Sequence, residues 1–328
     1  MRARRPFAFM TIEEARQARE RLKPYLRTTP LVFSEPLSRA TGNRVWLKLE
    51  SLQPTGAFKV RPALNGMLVH LDQARNSGVI ASSSGNFAQA VAYAARQLGV
   101  SAQIVMMKKS SPLKIEGTRR LGGEVVLCEN TFKDRWETTF RIERESGRLL
   151  LHPYDSEETI AGDATIGLEL SEQLDSDFTV LVPISGGGLI SGIASALKAE
   201  RPACTVIGVQ PAANGSMKKS IEQGRPVTVT PAPSIADALV VATPGERTFA
   251  IVQKLVDDLV LVEEEEIARA VRIIAVEQKL VVEPGGAVGV AALLAGKVQP
   301  AGRDLVCILS GGNIQPSKLA ELLAADVS

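Results

Sequence analysis

Lys59, in Thr55-Gly56-Ala57-Phe58-Lys59-Val60-Arg61, is the residue of this chain best placed for covalent chemistry, because its amine stands between apolar neighbours. Removing such a side chain from water disfavours the ammonium, lowers its pKa and leaves an amine able to form a Schiff base with a carbonyl. The plain alternative is a stem laid along apolar surface with its charged head in water. The company the lysine keeps decides between them. Phe178 to Ile184 reads as an apolar strand that runs into Ser185-Gly186-Gly187-Gly188-Leu189 and then a helix. That order aims backbone N–H groups and the positive end of a helix at one point, as a phosphate cradle does. It carries neither the Gly-Lys-Ser/Thr ending of a P-loop nor the G-x-G-x-x-G spacing of a dinucleotide fold, and a turn made glycine-rich for packing alone is its alternative. Gly78 to Ser82 likewise feeds Ser83-Ser84-Gly85-Asn86 and a helix start, which suits a carboxylate or, more plainly, a Ser/Asn cap. A third strand, Asp304 to Leu309, ends in Ser310-Gly311-Gly312-Asn313.

These loops need a scaffold that brings strand ends together. After an N-terminal helix from Thr11 to Lys23, strand-like runs at 44–49, 78–82, 102–106, 124–127, 178–184, 205–209 and 304–309 alternate with helical patterns. Such alternation predicts parallel sheets with crossover helices, in which ligands sit at the carboxyl ends of the strands. Ala88, Val91, Ala92, Ala95 and Leu98 recur at helical spacing over 86–98, and Ile193, Ala194 and Leu197 do so over 190–198. The acid run Glu263 to Glu266 opens a helix reaching about Lys279, where acids favour the positive end of the dipole. Pro226 to Pro233 reads as a surface loop. No linker interrupts the chain, so the expectation is an α/β protein of two lobes sharing a cleft, each an open, mostly parallel sheet flanked by helices. Residues 1–69 and 151–328 form the larger lobe and 70–150 the smaller.

Composition narrows the chemistry further. Lys plus Arg number 38 against 36 Asp plus Glu, dispersed along the 328 residues, which is no nucleic-acid surface. Phe7-Ala8-Phe9-Met10 after the basic start Met1 to Pro6 is too short for a signal-peptide core, and no apolar run spans a bilayer, so a cytoplasmic protein is expected. Cys128, Cys204 and Cys307 are far apart and read as buried thiols, while the two histidines, His70 and His152, supply neither a metal site nor a hydrolase triad.

Taken together, Ser51-Leu52-Gln53-Pro54-Thr55-Gly56-Ala57-Phe58-Lys59-Val60-Arg61, Ser83-Ser84-Gly85-Asn86, Ser185-Gly186-Gly187-Gly188-Leu189, Val282-Glu283-Pro284-Gly285-Gly286-Ala287 and Ser310-Gly311-Gly312-Asn313 resemble the threonine/serine dehydratase and serine racemase family. These are the fold-type II, tryptophan-synthase-β-like enzymes that use pyridoxal 5′-phosphate, and the likeness runs from about Thr11 onward. The resemblance implies that Lys59 carries the cofactor as a Schiff base, Phe58 stacks on its ring, Asn86 bonds the ring hydroxyl and Ser310 faces the ring nitrogen. It implies that Ser185, Gly186, Gly187, Gly188 and Leu189 hold the phosphate, with Ala238 and Glu283 near the ring. Ser83, Ser84, Gly85, Asn86 and Phe87 would receive the amino-acid substrate, with Ser84 on the face opposite Lys59. A homodimer is the family expectation, and the end of the chain soon after Ser310 implies no carboxyl-terminal regulatory domain.

A hydroxyl rather than a carboxylate at the ring nitrogen makes a weaker electron sink, which favours prompt loss of a β-leaving group. The expected reaction is therefore α,β-elimination of a β-hydroxy amino acid to a 2-oxo acid and ammonia, with Lys59 as the α-proton base. A serine-type racemase using Ser84, a β-replacement synthase and a non-catalytic small-molecule binder are the alternatives. Departures from the family pattern bear on the substrate: Ala57 stands for the usual Ser, Pro62 for Gly, Phe87 for His, Ser185 for the first of four glycines, Ala238 for Gly, and Gly162-Asp163-Ala164 for a Gly-Gln-Gly-like segment. Two polar positions become apolar at Ala57 and Phe87, which points to a bulkier substituent such as the phenyl of phenylserine. No metal is expected, since Gln210, Asn214 and Ser216 stand where metal-dependent relatives have acids, and neutral oxygens hold divalent cations weakly.

Overall fold

The strands expected from the alternating pattern form two sheets in a computed structural model that describes residues 9–298 and 304–324. The basic start at 1–6 lies outside the described residues. The six-stranded sheet runs in the order β1 (Leu31–Phe33), β2 (Arg44–Lys48), β10 (Asp304–Ile308), β7 (Phe178–Pro183), β8 (Thr205–Pro211), β9 (Asp258–Val262). The four-stranded sheet is β5 (Glu124–Cys128), β4 (Ala102–Met107), β3 (Val79–Ser82), β6 (Leu149–Leu151). Every pairing is parallel except β1 with β2. Parallel strands are buried on both faces, which is why β3, β7 and β10 read as continuous apolar runs and are buried at every position.

The seven expected strands are all present within a residue or two, whereas β1, β6 and β9 were not foreseen. β1 and β6 have three residues each, too few to carry a period, and the edge strand β9 runs directly into the acid-rich helix start. The first helix, Ile12–Leu22, begins with a reciprocal capping box between Thr11 and Glu14. Helix Glu264–Gln278 begins with the same device between Glu263 and Glu266, so the acid run is a helix start as read. Residues 226–233 carry no helix or strand, and the three cysteines are buried free thiols. No helix among the described residues is long and apolar enough to cross a membrane.

Two helices cross under the cleft at backbone contact. A Cβ added to Gly192 of helix Gly188–Glu200 would lie 2.5 Å from the amide nitrogen of Ala164 on helix Glu157–Gln173. One added to Gly162 would lie 2.8 Å from Cα of Pro62, at the start of helix Val60–Val69. Three helices thus meet beneath Lys59. The apolar cluster around the small sheet draws in Val60, Leu64 and Met67 of the Lys59 helix together with Phe87, Val91 and Ile104. Fully burying one such Val, Leu or Phe side chain is worth about 1.5–3 kcal/mol.

Beside that junction lies a closed set of charges. Arg61 donates from Nε and Nη2 to Glu50 at 2.8 and 2.7 Å and from Nη1 and Nη2 to Glu169 at 2.7 and 3.0 Å. Lys48 Nζ donates to Glu169 at 2.5 Å, and the Thr29 hydroxyl donates to Glu50 at 2.6 Å. All four charged side chains are almost wholly removed from water. Burial weakens the Arg61 charge, but both carboxylates outweigh it and raise its pKa. The network fixes the turn of chain that presents Lys59.

Candidate active site

The loops after β3, β7 and β10 open on one cavity of about 520 Å³, with Lys59 in its wall. Its lining includes Phe58, Lys59, Ser83, Ser84, Gly85, Asn86, Phe87, Ser185, Gly186, Gly187, Gly188, Leu189, Ala238, Glu283 and Ser310, so the residues expected at the cofactor and substrate share one space, whereas Ala57, read as a change in the substrate pocket, is buried and outside that lining. Lys59 Nζ donates to the carbonyl of Pro153 at 2.6 Å and lies 4.7 Å from the centre of the Phe58 ring and 5.7 Å from that of Phe87. Burial depresses the Lys59 pKa, and the opposing pull of Asp163 is smaller. Phe58 is placed by the hydrogen bond from its amide to the Ser310 carbonyl at 3.0 Å and by the bridge between Ala57 and Gly311.

The phosphate-cradle geometry is present at 185–189. Helix Gly188–Glu200 begins at the loop, so its first-turn N–H groups have no intrahelical carbonyl to bond. Gly187 has φ +101°, a left-handed conformation that a side chain would strain. The hydroxyl of Thr248 donates to the Gly186 carbonyl at 2.6 Å and holds the loop from behind. A Cβ on Gly186 would lie 2.4 Å from the Tyr154 ring, and one on Gly188 would lie 3.0 Å from Cα of Tyr154. Free helix-end donors in a cradle closed to side chains fit a phosphate dianion.

Opposite, Asn86 is locked at both ends. Its Nδ2 donates to Glu283 at 2.5 Å and its Oδ1 accepts from Asn313 at 2.9 Å, leaving one N–H for a ligand. Burial, reinforced by the charge of Asp237, pushes the Glu283 carboxyl up to about 7. In the serine loop, Ser83 accepts from the Gly85 amide at 3.3 Å and Ser84 from the Met107 amide at 3.2 Å. Phe87 is 3 % exposed and belongs mainly to the small-sheet core.

Several residues of the site escaped sequence reasoning. Arg135 donates to Ser82 at 2.9 Å and to Ser84 at 3.5 Å, and its guanidinium lies 5.1 Å from the Phe132 ring centre. It sits in the first turn of an ordinary amphipathic helix, Phe132–Ser146, and nothing local marks it. His152, set aside as a ligand or base, is structural: its Nδ1 accepts from the amides of Tyr154 and Asp155, and its ring stacks on Trp136. Burial first, and then the Lys59 charge, lower its pKa to about 4, so it stays neutral while shaping the Pro153–Tyr154 turn beside Lys59. Gln210 and Asn214 are occupied with protein partners, Gln210 accepting from the Lys218 amide at 3.0 Å and Asn214 bonding both backbone groups of Ala232.

Comparison with known proteins agrees with the architecture. A family model described as pyridoxal-phosphate dependent enzyme matches residues 22–311. An L-threonine ammonia-lyase of Thermotoga maritima is 41 % identical over 314 residues, covering 96 % of this chain and 78 % of that protein. A phenylserine dehydratase of Ralstonia pickettii is 40 % identical over 306 residues, covering 93 % and 94 %. The solved structure of maize serine racemase superposes with a TM-score of 0.92 at 35 % identity, covering 96 % of this chain and 97 % of that one. The chain belongs to the pyridoxal-phosphate dependent enzyme family, with the fold-type II architecture, and pyridoxal 5′-phosphate is its cofactor.

Proposed function

We propose that this enzyme is a dehydratase that eliminates water from a β-hydroxy-α-amino acid and releases a 2-oxo acid and ammonia. The observation that carries the reading is the buried Lys59 amine, set between the phosphate cradle and the Ser83–Asn86 loop within one cavity. Relatives named for threonine ammonia-lyase and phenylserine dehydratase activity support it. Bound pyridoxal phosphate supplies a carbonyl for the substrate amine and a ring that draws charge from the α-carbon. The chain does the rest. Helix-end amides at 185–189 hold the phosphate, Phe58 covers the ring, and Asn86 offers its remaining N–H to the ring hydroxyl. The serine loop receives the substrate carboxylate, with Arg135 as a countercharge behind Ser84. Lys59, kept as an amine by burial, takes the α-proton. Hydroxide leaves Cβ with a proton as water, and water regained at Cα expels ammonia. Segment 70–150 gates access, and the working form is a homodimer in the cytoplasm.

We assign a substrate with a bulky apolar β-substituent, because Phe58, Phe87, Met107 and Phe132 line the cavity. Phenylserine is the candidate. Burying a phenyl group contributes about 2 kcal/mol relative to water, roughly a thirtyfold preference. Comparing kcat/KM for phenylserine, threonine and serine tests this, and a preference for the small substrates overturns the specificity while leaving elimination intact. Lys59→Ala is expected to lose both visible cofactor absorbance and ammonia release. Near-normal turnover in that variant refutes the reaction itself.

A further inference from the structure

Asp163 is fully buried, and neither of its carboxyl oxygens has a hydrogen-bond partner. Its helix is clamped from two sides. Gly162, the residue before it, rests on the Arg61 carbonyl and the Pro62 backbone of the helix that follows Lys59. Its own carbonyl carbon would be 2.7 Å from a Cβ on Gly192, in the helix that follows the phosphate loop. Asp163 thus sits, unpartnered, on the helix that packs against both helices that build the site, Val60–Val69 and Gly188–Glu200.

The charges around it leave one cation available. Arg61 is committed to Glu50, Glu169 and Thr165, and Lys48 to Glu169, Gln173 and the Thr29 carbonyl. Two cations and two anions make that network neutral by itself. Glu50 repels a carboxylate at Asp163, Arg61 and Lys59 attract one, and the buried stretch Gly188–Leu197 of the third helix carries no charged residue. Lys59 bonds only an uncharged carbonyl, that of Pro153. A lone buried carboxylate is too costly to persist, so the acid stays protonated unless Lys59 is charged. Burial accordingly pushes Asp163 up to about 7, with Lys59 and Arg61 opposing, and pushes Lys59 down with Asp163 opposing, so the two titrate as a pair.

We propose that Asp163 is a positioning residue that sets the basicity of Lys59 by sharing one proton with it, a carboxylic acid beside the amine and, once that proton passes to Lys59, a carboxylate beside the ammonium. The inference rests on the reading of Lys59 as the reactive amine. It deepens that reading by giving the Gly162-Asp163-Ala164 departure a role.

The test uses the full chain without cofactor and the loaded enzyme. The pH at which Lys59 becomes reactive to acetic anhydride, followed by mass spectrometry, should fall by about one unit in Asp163→Asn, the tenfold change a lost neighbouring charge brings. In the loaded enzyme the acid limb of the kcat profile should fall with it, and the plateau should drop because the base is weaker. Unchanged reactivity and an unchanged limb overturn the proposal. Should Asp163→Asn fail to fold, the infrared carbonyl band of protonated buried acids is compared in wild type and Lys59→Ala. Without the amine the band should persist to higher pH, Glu283 contributing equally to both proteins, and identical titrations overturn the coupling. Turnover surviving in Lys59→Ala would instead refute the base role of Lys59, leaving the acetylation result to stand alone.

Discussion

Glu50→Gln removes one of two anions from a buried set of four charges and leaves the other three in place. In wild type, Lys48 and Arg61 balance Glu50 and Glu169, with Arg61 held by paired bonds to each carboxylate. The glutamine keeps an acceptor oxygen but turns an amide donor toward a guanidinium that also donates, and the set acquires one uncompensated positive charge. Breaking a buried pair in this way costs about 3–5 kcal/mol. At roughly 2–4 °C per kcal/mol, the thermal midpoint should fall by about 10 °C. Replacing both partners, Glu50→Leu with Arg61→Met, removes one charge of each sign and should recover most of the loss, because the remaining Lys48–Glu169 pair is neutral. The pH dependence follows from the carboxyl. Burial raises the Glu50 pKa, but the Arg61 charge and hydrogen bonds outweigh it and hold the carboxyl below its usual value. An acid depressed in the folded state stabilises above its unfolded pKa, about 4.3, and loses that contribution as pH falls toward the folded value. Wild type and Glu50→Gln should therefore differ fully at neutral pH and converge only below about pH 4. Urea and thermal melts from pH 3 to 8 measure it. A neutral-pH difference under about 1 kcal/mol, the value of a surface pair, would refute the reasoning.

Gly187→Ala combines a left-handed backbone with a Cβ 2.8 Å from that of Thr248, a strain of about 1–3 kcal/mol placed on the phosphate loop. Cofactor affinity, read by fluorescence titration, should weaken tenfold or more, and an unchanged Kd would show that the loop does not hold the phosphate. Ser84→Ala should keep the cofactor spectrum while impairing proton delivery opposite Lys59. Equal rates of elimination and of any inversion, followed by chiral chromatography, would deny it that role. Chelation should leave activity intact, since Gln210 and Asn214 are engaged with Lys218 and Ala232. A loss restored by magnesium would place a metal elsewhere in the protein.

The sequence by itself determined the strand-to-loop order and most of the residues that meet in the cavity. Local physics suffices there: β3, β7 and β10 are buried on both faces, so each appears as an apolar run, and the glycine or serine turn after each one marks its carboxyl end. The parallel sheets then collect those ends without further instruction. Tertiary structure alone decided what stands behind them. Arg135 looks like any helix arginine until its helix lies over β3, and His152 becomes a turn-builder only once Trp136 stacks on it. Phe87, read from the sequence as pocket wall, packs into the small-sheet core because its helix faces that sheet, while part of it still lines the cavity. Asp163 appeared in the sequence as a mere departure from pattern. Its isolation from every partner, and the electrostatic pull of Lys59, exist only because three helices from distant parts of the chain close around it, and no local spacing encodes such a meeting.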